Sequence, residues 1–225
     1  MKFKIQFIMA VLLISGYTAS SQSEGISFGL RGGVNFQNIN GTDMNGDKLK
    51  LDMVPRFNVG AVVDVPVAPD FYFETGLLYT TKGAKSKDNF LGMNMSAEYN
   101  LSYLELPLNF LYKPLLGKGH LLLGFGPYVA YGLGGNSKYV INNVSSEQKI
   151  VYSNEFASAN PYDQEFKHLD YGGNLFFGYQ MSNGISLQLN TQLGMAKINA
   201  KNTTYPNSEA SFKNTGFGLS LGYNF

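Results

Sequence analysis

The strongest constraint on the fold is a period of two in the hydropathy of the C-terminal part of the chain. Between Gly184 and Met195, Ile, Leu and Met largely alternate with Ser, Gln, Asn and Gly, and the segment from Gly216 to Phe225 repeats the alternation. Because successive side chains of a β-strand point to opposite faces, each segment predicts a strand with one apolar and one polar face. Segments of about ten residues with this pattern are typical of strands that cross an outer membrane, apolar side toward lipid.

The same pattern predicts eight strands, and an even number returns both chain ends to one side of the membrane. The predicted strands are 26–37, 56–67, 70–84, 98–113, 119–134, 166–181, 184–198 and 211–225. Long polar connections at 38–55, 85–97, 135–165 and 199–210 alternate with short ones at 67–69, 114–118 and 182–183. Bacterial barrels have short periplasmic turns and long outer loops. The sequence therefore predicts an all-β protein, an eight-stranded antiparallel up-and-down transmembrane β-barrel, with its orientation.

Composition excludes several other classes of protein. No apolar run approaches the ~20 residues of a spanning helix. The 17 basic and 16 acidic side chains give a net charge of +1, so no basic face points to nucleic acid as a partner. The chain has no cysteine, which excludes a disulfide framework, thiol chemistry and a lipidated N-terminal cysteine.

The N-terminus predicts export. Lys2 and Lys4 precede an apolar stretch over 5–14, and small residues at 19–21 offer a cleavage site. This is the organisation of a secretory signal peptide. We therefore expect residues 1–21 to be a signal peptide and residues 22–225 to be the barrel domain in the outer membrane. A membrane-anchor helix is the less favoured alternative, because the apolar stretch is about ten residues long.

Four stretches of the chain carry family-like motifs. They are Phe28-Gly-Leu-Arg-Gly-Gly-Val-Asn35, Tyr103-Leu-Glu-Leu-Pro-Leu-Asn-Phe110, Gly124-Phe-Gly-Pro-Tyr-Val-Ala-Tyr131 and Leu219-Ser-Leu-Gly-Tyr-Asn-Phe225. With them the chain resembles the PorT-like outer-membrane β-barrel family of Gram-negative bacteria, of the Bacteroidetes type. The resemblance implies insertion by the barrel-assembly machinery, which would read the C-terminal strand through Leu219, Leu221, Tyr223 and Phe225. It implies no single activity, since some members are tied to protein secretion and gliding.

Four charged residues fall on the predicted inner face. They are Arg31, Asp64, Glu74 and Glu105. An unpaired charge is costly where bulk water is excluded, so we expect Arg31 to pair with at least one of the carboxylates. Eight strands leave room only for side chains, which favours a packed polar lumen over the alternative of a gate or ion path.

Lysines at the predicted outer rim are candidates for contact with lipopolysaccharide. These are Lys82, Lys85, Lys197 and Lys213, with Lys87 and Lys201 nearby. Ammonium groups bind phosphate well, but ordinary solvated lysines are an equally good interpretation. The connection 135–165 is the longest, and we expect it to contact an envelope protein partner if any loop does.

Evidence for catalysis or metal binding is weak. His120 and His168 lie at opposite ends of the predicted barrel, and the nearness of His168 to Asp170 in sequence is the only suggestion of a catalytic histidine. The loop over 43–47 spaces its oxygens as a calcium loop does, but it lacks the required Gly and Glu. We therefore predict a protein that is not an enzyme and has no cofactor and no metal.

Four functions remain open from the sequence. The first is a non-enzymatic structural or interaction module with a packed polar lumen and partner-facing outer loops, with a role as an accessory of a secretion or envelope complex as one form of it. The second is a narrow porin-like channel or transporter for small solutes. The third is a soluble lipocalin-like barrel, which needs the same alternation with the apolar side chains inside. The fourth is a barrel enzyme that acts on lipid or peptide.

Overall fold

The computed structural model describes residues 25–90, 93–156, 165–202 and 209–225. The predicted signal peptide, 1–21, lies outside the described residues. Among the residues described, there is no helix of the length and apolar character needed to span a membrane.

Eight long strands form a closed antiparallel ring, which confirms the predicted fold class. The strands are β1 Ser27–Thr42, β2 Val54–Ala68, β3 Phe71–Phe90, β4 Met93–Tyr112, β5 Gly119–Ile141, β6 Leu169–Gln180, β7 Ile185–Gly194 and β8 Ser211–Asn224. Each strand pairs with the next along the chain, and β8 pairs with β1 to close the ring. The three short turns contain Asp70, Gly117 and Gly184, which all have positive φ. This conformation suits a tight reversal.

The strands are staggered around the ring. Following the register from Phe28 once around the barrel leads back to β1 at Asn38, ten residues further along the chain. With ~3.3 Å per residue and ~4.8 Å between strands, this stagger tilts the strands by about 40° from the barrel axis. The interior of an eight-stranded barrel of this kind is just wide enough to be filled by side chains.

The outer wall is apolar and the inner wall is polar or small. On β8, the outward residues Phe217, Leu219, Leu221 and Tyr223 are 45–61 % exposed, whereas the inward Ser220 is 1 % exposed. The apolar band on β1 runs from Phe28 to Phe36, and at this tilt eight residues rise about 20 Å, close to the ~25 Å expected of a membrane band. The apolar side chains therefore lie outside, which is the reverse of a lipocalin.

Small residues on the inner wall make room for large ones. A Cβ at Gly124 would overlap the ring of Phe176, and one at Gly132 would overlap the ring of Tyr152. These two glycines lie on β5. The lumen therefore closes because bulky aromatic rings face positions without side chains.

The strands extend further on the outer side than the alternation predicts. The predicted loop 85–97 is largely strand, because β3 runs to Phe90 and β4 begins at Met93. The predicted loop 135–165 is partly strand as well, since β5 runs to Ile141 and Val144–Lys149 pairs back onto it. We call the outer ends of β3, β4 and β5 together with Val144–Lys149 the outer sheet. Apolar and polar residues need not alternate along the outer sheet, because neither of its faces lies against lipid.

Other connections on the outer side fold into the mouth of the barrel. Val151–Tyr152 pairs in parallel with Glu165–Phe166, and Phe166 also forms an isolated bridge with Asn199. Ile150, Phe166 and Ile198 are between 0 % and 6 % exposed. The sequence predicts a long polar loop over 135–165 and places 166 and 198 at the ends of two strands, whereas the structure places the side chains of Ile150, Phe166 and Ile198 together in the mouth of the barrel.

Candidate functional site

The part of the lumen nearer the short turns, here called the lower lumen, contains the ion pair that the sequence predicts for Arg31. Its guanidinium forms a two-point contact with the Glu74 carboxylate, with Nη1 3.0 Å from Oε1 and Nη2 bonded to Oε2. Asn109 Nδ2 donates to the same Oε1 at 3.0 Å, and the guanidinium carbon lies 5.6 Å from the ring centroid of Phe176. A bidentate contact of this kind fixes the geometry of both side chains.

Asp64 lies at the short-turn end, below that pair. Its Oδ2 is 3.6 Å from Lys113 Nζ and accepts a hydrogen bond from Asn224 Nδ2 at 3.1 Å and one from Ser27 Oγ at 3.5 Å. The structure thus gives Asp64 the ammonium of Lys113 as its direct counter-ion, and Arg31 is bonded to Glu74 instead.

The prediction for Lys82 is wrong. Its side chain is 0 % exposed, and Nζ lies 3.0 Å from Asp170 Oδ2 and 3.0 Å from Glu105 Oε2. The ring centroid of Tyr128 lies 4.2 Å from the same nitrogen. The error arises because β3 continues to Phe90, so that Lys82 is not at a rim but on the inward face of the strand. A side chain enclosed in this way has no access to lipopolysaccharide.

Neutral hydrogen-bond donors complete the contacts of Asp170 and Glu105, the two carboxylates that lie against Lys82. Tyr128 Oη donates to Asp170 at 3.3 Å, and Asn214 Nδ2 donates to it at 2.9 Å. Gln192 Nε2 donates to Glu105 Oε1 at 2.9 Å. Glu105 therefore belongs to the Lys82 cluster and not to the Arg31 pair. The sequence reasoning considers Asp170 only as a neighbour of His168 and leaves both Asp170 and Lys113 out of the predicted charge network, although the inward position of Asp170 follows from the alternation in β6.

An apolar cap closes the lumen above Lys82. We use the name cap for the buried cluster formed by Ile39, Ala84, Leu101, Tyr103, Tyr128, Ala130, Ile150, Phe166, Ala196 and Ile198. Its members come from the strand walls and from the connections that enter the mouth. Large side chains in it, among them Leu101, Phe166 and Ile198, are at most 1 % exposed, so the cap is tightly packed at this level.

The described residues enclose a cavity and line a vestibule inside the barrel. The cavity, of about 60 Å³, lies at mid-height and is lined by Arg31, Gln37, Asn58, Asn109, Gln188, Asn190 and neighbouring residues. At ~15 Å³ per water this volume has room for about four waters. The vestibule, of about 630 Å³, lies at the short-turn end and is lined in part by Tyr72, Lys113, His120 and Gln180. A buried layer of Tyr72, Leu111, Leu122 and Phe176 lies in the same lower part of the lumen.

A closed ring of eight strands, an apolar outer wall and a filled polar lumen are the features of an outer-membrane barrel. Residues 19–200 match the family model described as "Outer membrane protein beta-barrel domain". The chain belongs to this outer-membrane β-barrel family. It is accordingly an outer-membrane protein.

Two solved outer-membrane barrels resemble this family member weakly. Ail, the attachment invasion locus protein of Yersinia pestis, is 11 % identical in its complex with the heparin analogue sucrose octasulfate, with a TM-score of 0.41. Neisserial surface protein A is also 11 % identical, with a TM-score of 0.44. Each comparison covers 90 % of this chain and 100 % of the other. These values are too low to carry information about function. No curated protein matches the sequence.

The other predicted lipopolysaccharide contacts of this outer-membrane barrel lie nearer the surface. Lys85 Nζ is 3.9 Å from Glu98 Oε2, with 34 % of its side chain exposed. Lys197 is exposed and Lys213 is half-buried. The structure does not gather these lysines around one common site, and their contact with phosphate stays a prediction.

His168 has a structural environment at the outer end of the barrel. Its ring stacks on Tyr131 with centroids 4.8 Å apart and on Tyr152 with centroids 5.2 Å apart. Its Nδ1 lies 3.0 Å from the carbonyl oxygen of Gly132, a bond that requires the Nδ1–H tautomer. Burial raises the pKa of the Tyr152 hydroxyl, so this neighbour stays neutral. Asp170, the suggested catalytic partner, is bonded to Lys82 instead.

The loop with calcium-like spacing is organised by its own backbone. Asp43 Oδ1 accepts the N–H groups of Asn45 at 2.8 Å and of Asp47 at 2.9 Å. A carboxylate that caps a turn in this way is the ordinary Asx arrangement. Across the described ranges, no three His, Cys, Asp or Glu side chains are grouped so that they could hold a metal ion.

Proposed function

We propose that this outer-membrane protein is a non-conducting barrel that serves as a structural or interaction module and binds its partners on the outer side. The observation that carries the proposal is the cap, which fills the outer mouth with apolar side chains directly above the buried Lys82 cluster. A solute moving through the lumen would have to displace the cap and then separate Lys82 from Asp170 and Glu105. Removing the partner of a buried charge costs about 3–5 kcal/mol.

A narrow channel is the competing function. The vestibule at the short-turn end favours it, because this space gives water entry from one side. The path then meets the Arg31–Glu74 pair, a cavity of about 60 Å³ and finally the cap. We therefore infer that the vestibule is the entrance to a blind lumen.

The partner-facing part of the proposal rests on the outer sheet. This sheet projects beyond the apolar band, and backbone pairing between neighbouring strands holds its hairpins in place. An accessory role in a secretion or envelope complex is consistent with this arrangement and with the resemblance to PorT-like barrels. We propose no enzymatic activity, since the one candidate histidine is held between two tyrosine rings.

Three further proposals concern the biogenesis and surroundings of the barrel. Residues 1–21 direct export and are removed. The C-terminal strand, through Leu219, Leu221, Tyr223 and Phe225, is the signal for the barrel-assembly machinery. Lys85, Lys197 and Lys213 contact lipopolysaccharide phosphates, whereas Lys82 does not.

Planar-bilayer recording of the purified protein tests the blind lumen. We expect no stable conductance steps from the wild type at neutral pH. Phe166→Ala with Ile198→Ala opens part of the cap and should raise the frequency of brief openings. Leu219→Ala, on the lipid face, is the control and should leave the recordings silent. Stable, reproducible steps from the wild type would refute the proposal in favour of the channel.

A further inference from the structure

The last strand of the outer sheet, Val144–Lys149, is held by a well-defined hairpin. The two turn residues, Asn142 and Asn143, have φ values of 48° and 69°. Positive φ at both central residues is the signature of a type I′ turn, the two-residue turn that matches the twist of paired strands. The register runs from Ile141 opposite Val144 to Asn136 opposite Lys149. This strand is therefore a preformed part of the sheet and not a loop.

The other edge of this strand is open within the described residues. Ile150 donates its N–H to the carbonyl oxygen of Gly135 at 3.0 Å. Along two antiparallel strands, hydrogen-bonded and non-hydrogen-bonded residue pairs alternate. Since Ile150 is bonded to β5, the even-numbered residues of the strand also direct their backbone groups to β5. The odd-numbered residues direct theirs away from it, and these are Ser145, Glu147 and Lys149. In the part of the chain that the structure describes, β5 is the one strand that pairs with Val144–Lys149, so no strand covers this edge.

A row of alternating charges crosses the outer sheet and ends at this edge. Each member lies directly opposite the next on the neighbouring segment, in the order Asp52, Lys85, Glu98, Lys138 and Glu147. Residues directly opposite share a face of the sheet, and opposite charges in such pairs stabilise it by roughly 0.2–1 kcal/mol each. Glu147 is exposed, and it has a cation opposite on one side only. At the other end of the row Asp52 has a second cation, since Lys87 Nζ lies 2.7 Å from its Oδ2. The row therefore ends on an ion pair at Asp52 and on Glu147 at the open edge.

We propose that the edge of Val144–Lys149 binds an extended segment of a partner polypeptide, which adds to the outer sheet as a further strand with a Lys or Arg opposite Glu147. Strand addition supplies affinity through main-chain hydrogen bonds and selectivity through alternate side chains. The chemistry of the occupant follows from the row, because a basic residue continues the alternation and an acidic one places like charges opposite each other. This inference rests on the proposed interaction function and names its surface and the kind of segment it takes.

The position of the edge suits a partner from outside the membrane. Glu98, in the same row, is six residues beyond Leu104, the last large apolar residue on the outward face of β4. At about 2.5 Å per residue along the barrel axis the row lies roughly 15 Å beyond the apolar band. A second copy in the same membrane is disfavoured, because its edge strand runs toward the membrane in the same direction and cannot pair antiparallel.

The test uses the barrel in detergent micelles and two fluorescent peptides, Thr-Val-Thr-Lys-Thr-Val-Thr and the same peptide with Glu at its centre. We expect the Lys peptide to bind the wild type roughly fivefold more tightly than the Glu peptide, the ratio that ~1 kcal/mol corresponds to. Glu147→Lys should invert this preference. Asp47→Lys, an equal change of charge in another outer loop, should preserve it.

Backbone pairing is tested separately from charge. Binding of the Lys peptide should slow hydrogen exchange at the amides of Ser145, Glu147 and Lys149, and an N-methylated Lys peptide should not do so. Ser145→Pro removes one outward N–H without touching a bond to β5, and it should weaken binding while the barrel stays folded.

Three results would overturn this inference. They are equal binding of the two peptides, a preference that Glu147→Lys leaves unchanged, and edge-amide protection that grows with protein concentration in the absence of peptide. The last result would assign the edge to a second copy. None of them bears on the silent bilayer recordings, so failure here is distinguishable from failure of the blind-lumen proposal.

Discussion

Replacing Lys82 by Met should destabilise the barrel strongly. Met retains most of the length and apolar stem of lysine, so the main loss is the ammonium that lies 3.0 Å from both Asp170 and Glu105. Asp170 would keep the donors Tyr128 and Asn214, but the two carboxylates of this cluster, Asp170 and Glu105, would lose their shared cation. Breaking a buried ion pair on one side typically costs about 3–5 kcal/mol. We expect the free energy of unfolding to fall by about this amount at neutral pH.

The assay is urea unfolding in phospholipid vesicles, followed by the difference in gel mobility between folded and unfolded protein. The chain has no tryptophan, so gel mobility is a more direct probe than fluorescence. Lys85→Met is the matched control. The Lys85 side chain is 34 % exposed and lies 3.9 Å from Glu98, and an exposed pair is worth at most about 1 kcal/mol.

A rescue separates charge from packing. Adding Glu105→Gln and Asp170→Asn to Lys82→Met removes every charge of the cluster, and replacement of a whole buried ionic group is often neutral. We therefore expect the triple variant to recover most of the lost stability. A loss below about 1 kcal/mol in the single variant, or no recovery in the triple one, would refute the assignment of Lys82 as the counter-ion of the lumen.

Two further substitutions test the lower lumen with the same assay. Arg31→Ala leaves the buried Glu74 carboxylate without its cation, so the unfolding free energy should fall by about 3–5 kcal/mol. An unchanged midpoint would contradict the ion pair as a stabilising contact. Gly124→Ala places a methyl group against the Phe176 ring and should cost about 1–3 kcal/mol. Gly134→Ala, where a Cβ meets no atom within 4 Å, should be close to neutral, and equal losses at the two glycines would contradict the packing argument.

The alternation predicts the barrel wall well because lipid imposes it. On a strand such as β8, every outward residue meets hydrocarbon and every inward one meets the lumen, so sequence period and strand face coincide. The same rule places Arg31, Asp64, Glu74 and Glu105 inside. The alternation does not predict how these charges pair. Pairing depends on which inward residues of different strands lie at the same level along the barrel axis. Only the stagger of the barrel brings Lys82 to Asp170, 88 residues further along the chain.

The strands of the outer sheet could not be predicted from the alternation, and the reason is physical. Beyond the apolar band both faces of a strand are free of lipid, so no period of two is required, and β3 and β4 continue where the pattern ends. One local signal was present, because Asn142-Asn143 between Tyr-Val-Ile and Val-Ser-Ser has the composition of a two-residue hairpin turn. The burial of Phe166 in the cap has no comparable signal, since the alternation predicts residue 166 as the first of a membrane-spanning strand, whereas the observed strand β6 begins at Leu169.

The two surfaces of the barrel wall contribute differently to its specificity. Leu and Phe side chains on the outer wall are surrounded by equally apolar lipid, so they favour insertion without selecting a particular internal arrangement. Within the described residues, the buried charges of the lumen are Arg31, Lys82 and Lys113 against Asp64, Glu74, Glu105 and Asp170. With three cations for four carboxylates, loss of any one cation leaves a further charge unmatched. The lumen is thus the part of the molecule least able to change, and an open ion path would require such a change. The edge of the outer sheet carries no such constraint, which is the physical reason to look for partner binding there.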